Sequence, residues 1–403
     1  MKKTIFTLAL TLMATGSLFA QNNLVEKCVK NAAEQVSLMV AQTDTFATMV
    51  SPRKIAADGK STAFTTLYDW TSGFYPGSLW YLYELTGENK WKESAIKYTQ
   101  GMEHIKNYTG NHDIGFMIFC SFGNGLRLTG NEHYKDVIIT AARSLTTRYR
   151  QGAGLIQSWN KSRGWLCPVI IDNMMNLELM FEATKMSGDS TFWKIAVSHA
   201  DKTMQNHYRP DMSCYHVVDY DPLSGAVRGR YTAQGYADES AWARGQAWGL
   251  YGYTLCYRYT RDPKYLAQAE KIAAYIFEHK NMPADLVPYW DFDAPANPAD
   301  GKYPQVGTVE PRDASAAAIA ASAMYELSTF SPKNAKKYKK LADKVVSSLA
   351  SKEYTAPRGE NGNFILMHST GNAPGNGEID TPLVYADYYF LEALKRKNDI
   401  EKN

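Results

Sequence analysis

Acidic residues stand at or near the start of apolar helical segments at Asp69, Asp113, Asp172, Asp238 with Glu239, Asp313 and Asp380. An aspartate in that place caps a helix: its carboxylate accepts hydrogen bonds from first-turn amides and complements the positive end of the dipole. Capping accounts for each of them singly. As a group they allow more. If the helices run parallel, their N-termini converge and several carboxylates share one cavity. Like charges in a partly dry pocket raise one another's pKa. One carboxyl can then stay protonated near neutral pH as a general acid while its neighbour stays ionised. Burial assists this and the helix dipoles oppose it.

Two of these places have polar company. The first reads Asn111-His112-Asp113-Ile114-Gly115-Phe116-Met117 and the second Ile170-Ile171-Asp172-Asn173-Met174-Met175-Asn176-Leu177. Asp172 and Asn176 are four apart and share a helical face, so Asn176 either steers the carboxyl's hydrogen bond or is an ordinary buried amide. A third stretch runs from Gln234 to Trp248. Arg244 lies within an apolar helix there, where an unpaired cation is costly. It must meet a ligand's carboxylate or an internal one such as Glu239. Trp248, four residues on, is core or a stacking face. HExxH, GxSxG, GxxxxGK[ST] and a strand-borne GxGxxG are missing, and the eight scattered His form no metal pair at helical spacing. No metal or cofactor is expected.

Positioning such residues calls for helices in pairs. Segments end in a short turn and restart on an aromatic four residues after the breaker: Gly87 to Trp91, Gly130 to Tyr134, Gly188 to Phe192, Arg261 to Tyr265, with a weaker copy from Phe330-Ser331-Pro332 to Tyr338. First helices are apolar nearly all round, as in Met174 to Met180, Trp248 to Leu255 and Ala316 to Met324. Second helices are amphipathic, as in Lys92 to Ile105 and Lys264 to Phe277. The former must be buried and the latter half wet, which describes an inner ring sheathed by an outer one. From Leu24 the pattern predicts roughly twelve helices in six hairpins, the last over Leu383 to Lys397. The fold class is therefore all-α, an (α/α)6 toroid; irregular spacing argues against an open solenoid. Long segments precede the inner helices: Gly152 to Leu166, Tyr208 to Glu239 and Met282 to Arg312. Loops of that length build or cover a site. The second holds a predicted hairpin, Cys214 to Tyr220 and Ala226 to Thr232.

Composition excludes several classes. The chain has 403 residues and a formal charge of +3. Removing residues 1–20, whose only charges are Lys2 and Lys3, leaves 42 basic against 41 acidic side chains. Nothing draws such a chain toward nucleic acid or an anionic membrane. Aromatics are abundant, with 27 Tyr and 9 Trp; they fill a core or line a cleft with flat faces. Residues 1–20 read as an export signal, with a short apolar core from Ile5 to Met13 and a cleavage site before Gln21. The expected arrangement is a signal peptide over 1–20 and a single catalytic domain over 21–403, exported to a bacterial periplasm, with no membrane span. Five well-separated cysteines without CxxC exclude a dense disulfide framework and a zinc ribbon; most should be buried thiols.

The motifs, in order, resemble those of glycoside hydrolase family 88, the unsaturated glucuronyl hydrolases. They begin at Asp69-Trp70-Thr71-Ser72-Gly73-Phe74-Tyr75-Pro76-Gly77, continue through HDIGF, IIDNMMN, QGYADESAWARGQAW and RDASAAAI, and close with Ala386 to Leu394. The resemblance implies an (α/α)6 barrel that removes the 4,5-unsaturated uronic acid from the non-reducing end of lyase products, by hydrating the vinyl ether. It implies Asp172 as general acid and base and Asp113 as the supporting carboxylate. It implies substrate contact at Trp70, Phe74, Trp159, His216, Gln234, Arg244 and Trp248, with Asn176 beside them. The loop His368-Ser369-Thr370-Gly371-Asn372-Ala373-Pro374-Gly375-Asn376 lacks the Lys of members that prefer sulfated glycosaminoglycan fragments. Competing readings are an unsaturated rhamnogalacturonyl hydrolase of the related family 105, a catalytically inactive periplasmic sugar-binding protein, and a sugar epimerase, whose acid–base His residues this chain's inner helices scarcely supply.

Overall fold

The computed structural model describes residues 24–294 and 311–402. The proposed export signal and most of the Pro- and Asp-rich 282–312 segment lie outside them. α1 spans 24–43. β1 (Ser51–Ile55) and β2 (Thr62–Thr65) pair, and then come α2 (Phe74–Thr86) and α3 (Asn89–Gly101). The next inner helix is composite: α4 (Ile114–Ile118), a π-helical turn over Phe119–Gly123, and α5 (Asn124–Thr129). The rest of the chain runs α6 (Glu132–Thr146), β3 (Tyr149–Arg150), β4 (Leu155–Ile156), β5 (Cys167–Ile170), α7 (Asn173–Ser187), α8 (Ser190–His207), β6 (Val217–Tyr220), β7 (Val227–Tyr231), α9 (Ala243–Thr260), α10 (Pro263–Glu278), α11 (Ala314–Phe330), α12 (Ala335–Leu349) and α13 (Val384–Lys402).

The packing order closes a ring. α2 meets the composite helix, which meets α7; α7 meets α9, α9 meets α11, α11 meets α13, and α13 returns to α2. α1, α3, α6, α8, α10 and α12 sheathe them, giving the (α/α)6 toroid. The amphipathic pattern assigns the layers correctly. In α11 fourteen of seventeen residues are buried. In α12 only Tyr338, Ala342, Val345, Val346 and Leu349 are buried, one face of a 3.6-residue repeat, while its lysines look outward. α1 is an outer stave, tied by Gln35, whose amide nitrogen donates to the Pro357 and Phe364 carbonyls.

The turns between inner and outer helices follow the breaker pattern. Gly87, Gly130 and Gly188 adopt φ of 73, 66 and 74°, and each amide closes back on its helix. The restart is capped by Asn131, Asp189 and Asp262, whose side chains accept from amides two residues on. At the fourth copy Arg261 takes the left-handed conformation without glycine (φ 57°). The crossings from outer back to inner are long, and all deliver their ends to one mouth. The predicted hairpin is present as β6 and β7, somewhat shorter. Pattern reading missed its third strand, β5, which pairs antiparallel with β6, Ile170 opposite Val217. Four residues, all buried, are too few to show alternation. This small sheet fixes the chain entering α7. All five cysteines are buried and unpaired. Among the described residues no helix is long and apolar enough to cross a membrane.

Candidate active site

Most of the acidic groups at the inner-helix starts are already engaged. Asp313 caps α11, accepting from the Ser315 and Ala316 amides. Asp69 accepts from the Thr71 amide and hydroxyl and is paired with Arg53. Asp238 accepts from the Thr232 amide, Glu239 pairs with Arg209, and Asp380 with His368 at 2.6 Å. Asp113 and Asp172 are different. They occupy the N-cap positions of α4 and α7, yet neither side chain accepts a capping hydrogen bond. Both are nearly buried, at 8% and 7% exposure, and both line one cavity of about 480 Å³ with Trp70, Trp159, Gln234 and Arg244. Capping, sufficient for Asp313, does not explain this pair.

Burial raises both carboxyls. Asp172 is pushed up to about 7 by desolvation, with Arg244 the main opposing influence. Asp113 is raised well above the usual carboxylate range by desolvation, then by Asp172 and Asp69; Arg148 is the weakest influence on it. The expected division, a protonated Asp172 beside an ionised Asp113, is therefore not what burial and these charges alone produce. They favour the proton on Asp113, because Arg244 steadies the ionised form of Asp172. The dyad titrates as a unit with macroscopic pKa values.

Other expected contacts stand one layer back. Phe74 has no exposed surface; its ring packs against Phe116 at 5.4 Å and supports Trp70 at 5.8 Å. Trp248 is likewise fully buried, against Phe116 and Tyr389. Asn176 is fully buried and does not hydrogen-bond Asp172: its Oδ1 accepts from the Phe116 amide at 2.9 Å. These three hold the wall rather than form its face, because helical periodicity specifies a direction but not a depth. His216 is buried with its Nδ1 accepting from the Ala233 and Gln234 amides, which puts the ring proton on Nε2, 3.8 Å from Asp172 Oδ2. Trp159 stacks on Trp165 at 6.3 Å and meets His216 edge-on. The side-chain amide of Gln234 donates to the Gly371 carbonyl.

Arg244 is 1% exposed, and its internal partner is Asp313 at 3.0 Å, not Glu239. Its Nη atoms also donate to the Thr370 and Gly371 carbonyls, each at 2.6 Å. The guanidinium thereby clamps the 369–378 loop, one wall of the cavity. Several lining residues escaped sequence reasoning. Arg53 is gripped by Asp69 and by Glu378, the latter at 2.7 Å; Lys54, Arg163, Asn372 and Tyr385 complete the rim. Arg163 sits in the long 152–166 loop that carries Trp159 and Trp165, and Tyr385 heads the last inner helix. Glu378 carried no signal: it reaches the cavity from a loop where it takes φ of 56°.

A ring of paired helices with two unengaged carboxyls and cations in one aromatic-walled cavity defines a helical-toroid glycosidase. The family model for Glycosyl Hydrolase Family 88 matches residues 48–398. The chain is 52% identical over 334 residues to the unsaturated glucuronyl hydrolase of Formosa agariphila, covering 82% of this chain and 80% of that one. It is 32% identical to the unsaturated chondroitin disaccharide hydrolase of Streptococcus agalactiae, over 81% of each. Among solved structures, an unsaturated glucuronyl hydrolase specific for heparin superposes with a TM-score of 0.88 at 45% identity, covering 95% of this chain and 99% of that one. The enzyme of Bacillus sp. GL1 follows with 0.83 at 29%, over 92% and 96%. The chain belongs to Glycosyl Hydrolase Family 88 and is a glycoside hydrolase.

Proposed function

We propose that the enzyme removes the 4,5-unsaturated uronic acid from the non-reducing end of lyase-generated glycosaminoglycan oligosaccharides. The observation that carries this reading is the Asp113–Asp172 pair: two buried carboxyls, free of capping duty, facing one cavity rimmed by Arg53, Lys54, Arg163 and Arg244. Asp172 protonates C4 of the vinyl ether. The oxocarbenium character that builds at C5 is stabilised by the neighbouring carboxylate. Asp172, now ionised, takes a proton from the water that adds at C5, and the resulting hemiketal opens with loss of the glycosidic bond. The carboxyl-spacing rule of retaining and inverting glycosidases does not apply, because the anomeric carbon is not attacked. The Lys2-Lys3 start and following apolar stretch support export to the periplasm.

The test is a panel of unsaturated disaccharides. Loss of the ultraviolet absorbance of the double bond is expected with chondroitin- or heparin-derived substrates. Turnover confined to pectin-derived fragments would establish the rhamnogalacturonyl reading, and binding without turnover the inactive-protein reading. A pH dependence follows as well. The reactive form keeps one proton on the dyad, so kcat/KM is expected to fall as pH rises through the dyad's upper apparent value, at or above the level near 7 to which burial lifts Asp172. A profile flat across that range would remove Asp172 as the acid.

A further inference from the structure

We propose that Asp291 is a positioning residue for substrate binding: from behind the cavity it holds the Gln234 wall where Gln234 reaches the Gly371 carbonyl of the opposite wall. This rests on the substrate class assigned above and adds a fully buried residue to it. The Gln234 wall, residues 232–237, is neither helix nor strand, so no backbone ladder fixes it. Side chains do so instead. The Thr232 amide donates to Asp238, the Ala233 and Gln234 amides to His216 Nδ1, the Gly235 amide to the Thr232 hydroxyl and the Ala237 amide to the Ser240 hydroxyl. All those partners are near in sequence. The Tyr236 amide is different: it donates at 2.8 Å to Asp291 Oδ2, fifty-five residues on. The Ser240 hydroxyl proton has two acceptors in reach, Asp291 Oδ2 and the Ala237 carbonyl, so the fixed tie is the Tyr236 amide. The Asp293 amide orients the carboxylate by donating to Oδ1 at 2.9 Å.

Asp291 is 0% exposed, and among the described residues no cation pairs with it. Burying a carboxylate on neutral donors alone is costly unless those donors stay in place. The wall also comes close, since a Cβ on Gly235 would lie 3.0 Å from Asp291 Oδ2. The same segment sets two inner helices. The Ala243 amide donates to the Trp290 carbonyl and the Phe292 amide to the Ala241 carbonyl, which places the start of α9. The Asp313 amide donates to the Pro288 carbonyl, which places the start of α11. Residues 288–292 therefore fix Gln234, Arg244 and Asp313 relative to one another. Two of the three converge on one atom: the Gly371 carbonyl accepts from Gln234 Nε2 at 3.0 Å and from an Arg244 Nη at 2.6 Å. Without the Asp291 tie, Arg244 holds Gly371 alone and the gap between the two walls is no longer set. Asp113 and Asp172 stand on neither wall, so binding suffers more than chemistry.

Kinetics and hydrogen exchange test this. Asp291→Ala is expected to raise KM for an unsaturated disaccharide by ~5-fold or more, with kcat falling by less than KM rises. Asp291→Asn, whose side-chain oxygen can still accept from Tyr236, should recover most of the loss. In a Gln234→Ala background, Asp291→Ala is expected to add less than ~2-fold, because the side chain it positions is gone. An unchanged KM, or KM rises that multiply in the double variant, would overturn the proposal. Amide exchange of the full chain, read by mass spectrometry, should be ~10-fold faster or more in Asp291→Ala over both 232–240 and 369–378. Faster exchange confined to 232–240 would break the link to the opposite wall. Should Asp291→Ala fail to fold, Gly235→Ala presses on the same carboxylate from the wall side and is expected to show the same KM rise and faster exchange in weaker form; wild-type values for both would count as refutation. The exchange measurement needs no substrate, so it judges the positioning even if the wild-type chain fails on every glycosaminoglycan disaccharide, a result that would sink the substrate class alone.

Discussion

Asp172→Asn is expected to abolish turnover, lowering kcat by ~10³-fold or more, while the dissociation constant for an unsaturated disaccharide changes little. General acid–base assistance is worth about 10²–10⁴ in rate, and here one carboxyl supplies it twice, first to C4 and then to water. The amide is isosteric, so the cavity keeps its shape. It also gives a second, independent signature. The folded state holds the Asp172 proton up to about 7, against an ordinary value of 3.8. The unfolded chain therefore ionises first as pH rises, and the folded state loses stability from about pH 4 to about 7, reaching ~4 kcal/mol above that at roughly 1.4 kcal/mol per unit. An amide carries no such penalty. Asp172→Asn should melt higher than wild type at pH 8 and no higher at pH 4. A variant retaining tenth-scale activity would show that another group delivers the proton.

Arg244→Met is the substitution with the largest expected effect on stability. The guanidinium is 1% exposed, its Asp313 partner is fully buried, and its Nη atoms hold the Thr370 and Gly371 carbonyls. Removing one member of a buried pair leaves an uncompensated charge and costs about 3–5 kcal/mol. Denaturant titration should show that loss. Adding Asp313→Asn removes the stranded charge, and an amide oxygen can still cap α11, so the double variant should recover at least half of it. Arg244 also pins a cavity wall, so KM is expected to rise even where the protein remains folded. Additive losses in the two variants would show that the pair is not coupled.

Much of this architecture was readable in advance, and the reasons are local. Inner and outer staves differ in how many faces of a helix are apolar, a property any short window carries. The turns announce themselves through Gly87, Gly130 and Gly188. Asp113 and Asp172 stood out because each opens an apolar helix beside polar residues that a buried segment has little reason to contain. What stayed hidden depends on distance along the chain. Arg244 finds Asp313 sixty-nine residues away, Arg53 finds Glu378 more than three hundred away, and β5 becomes a strand only because β6 arrives beside it. The depth of Phe74, Trp248 and Asn176 behind the cavity wall belongs to the same group, since it is set by the radius of the ring.

The closure of that ring between α2 and α13 makes the catalytic machinery all-or-none. Asp113 and Asp172 are synthesised early, but Glu378 and Tyr385, which bound the same hollow, arrive with the last loop and helix. A ribosome-bound fragment ending before α13 would hold both acids on an open arc exposed to water, where neither is dry enough to keep a proton. Competence should therefore emerge in one late step of folding, and trimming the final stave should extinguish the chemistry outright rather than blunt it by degrees.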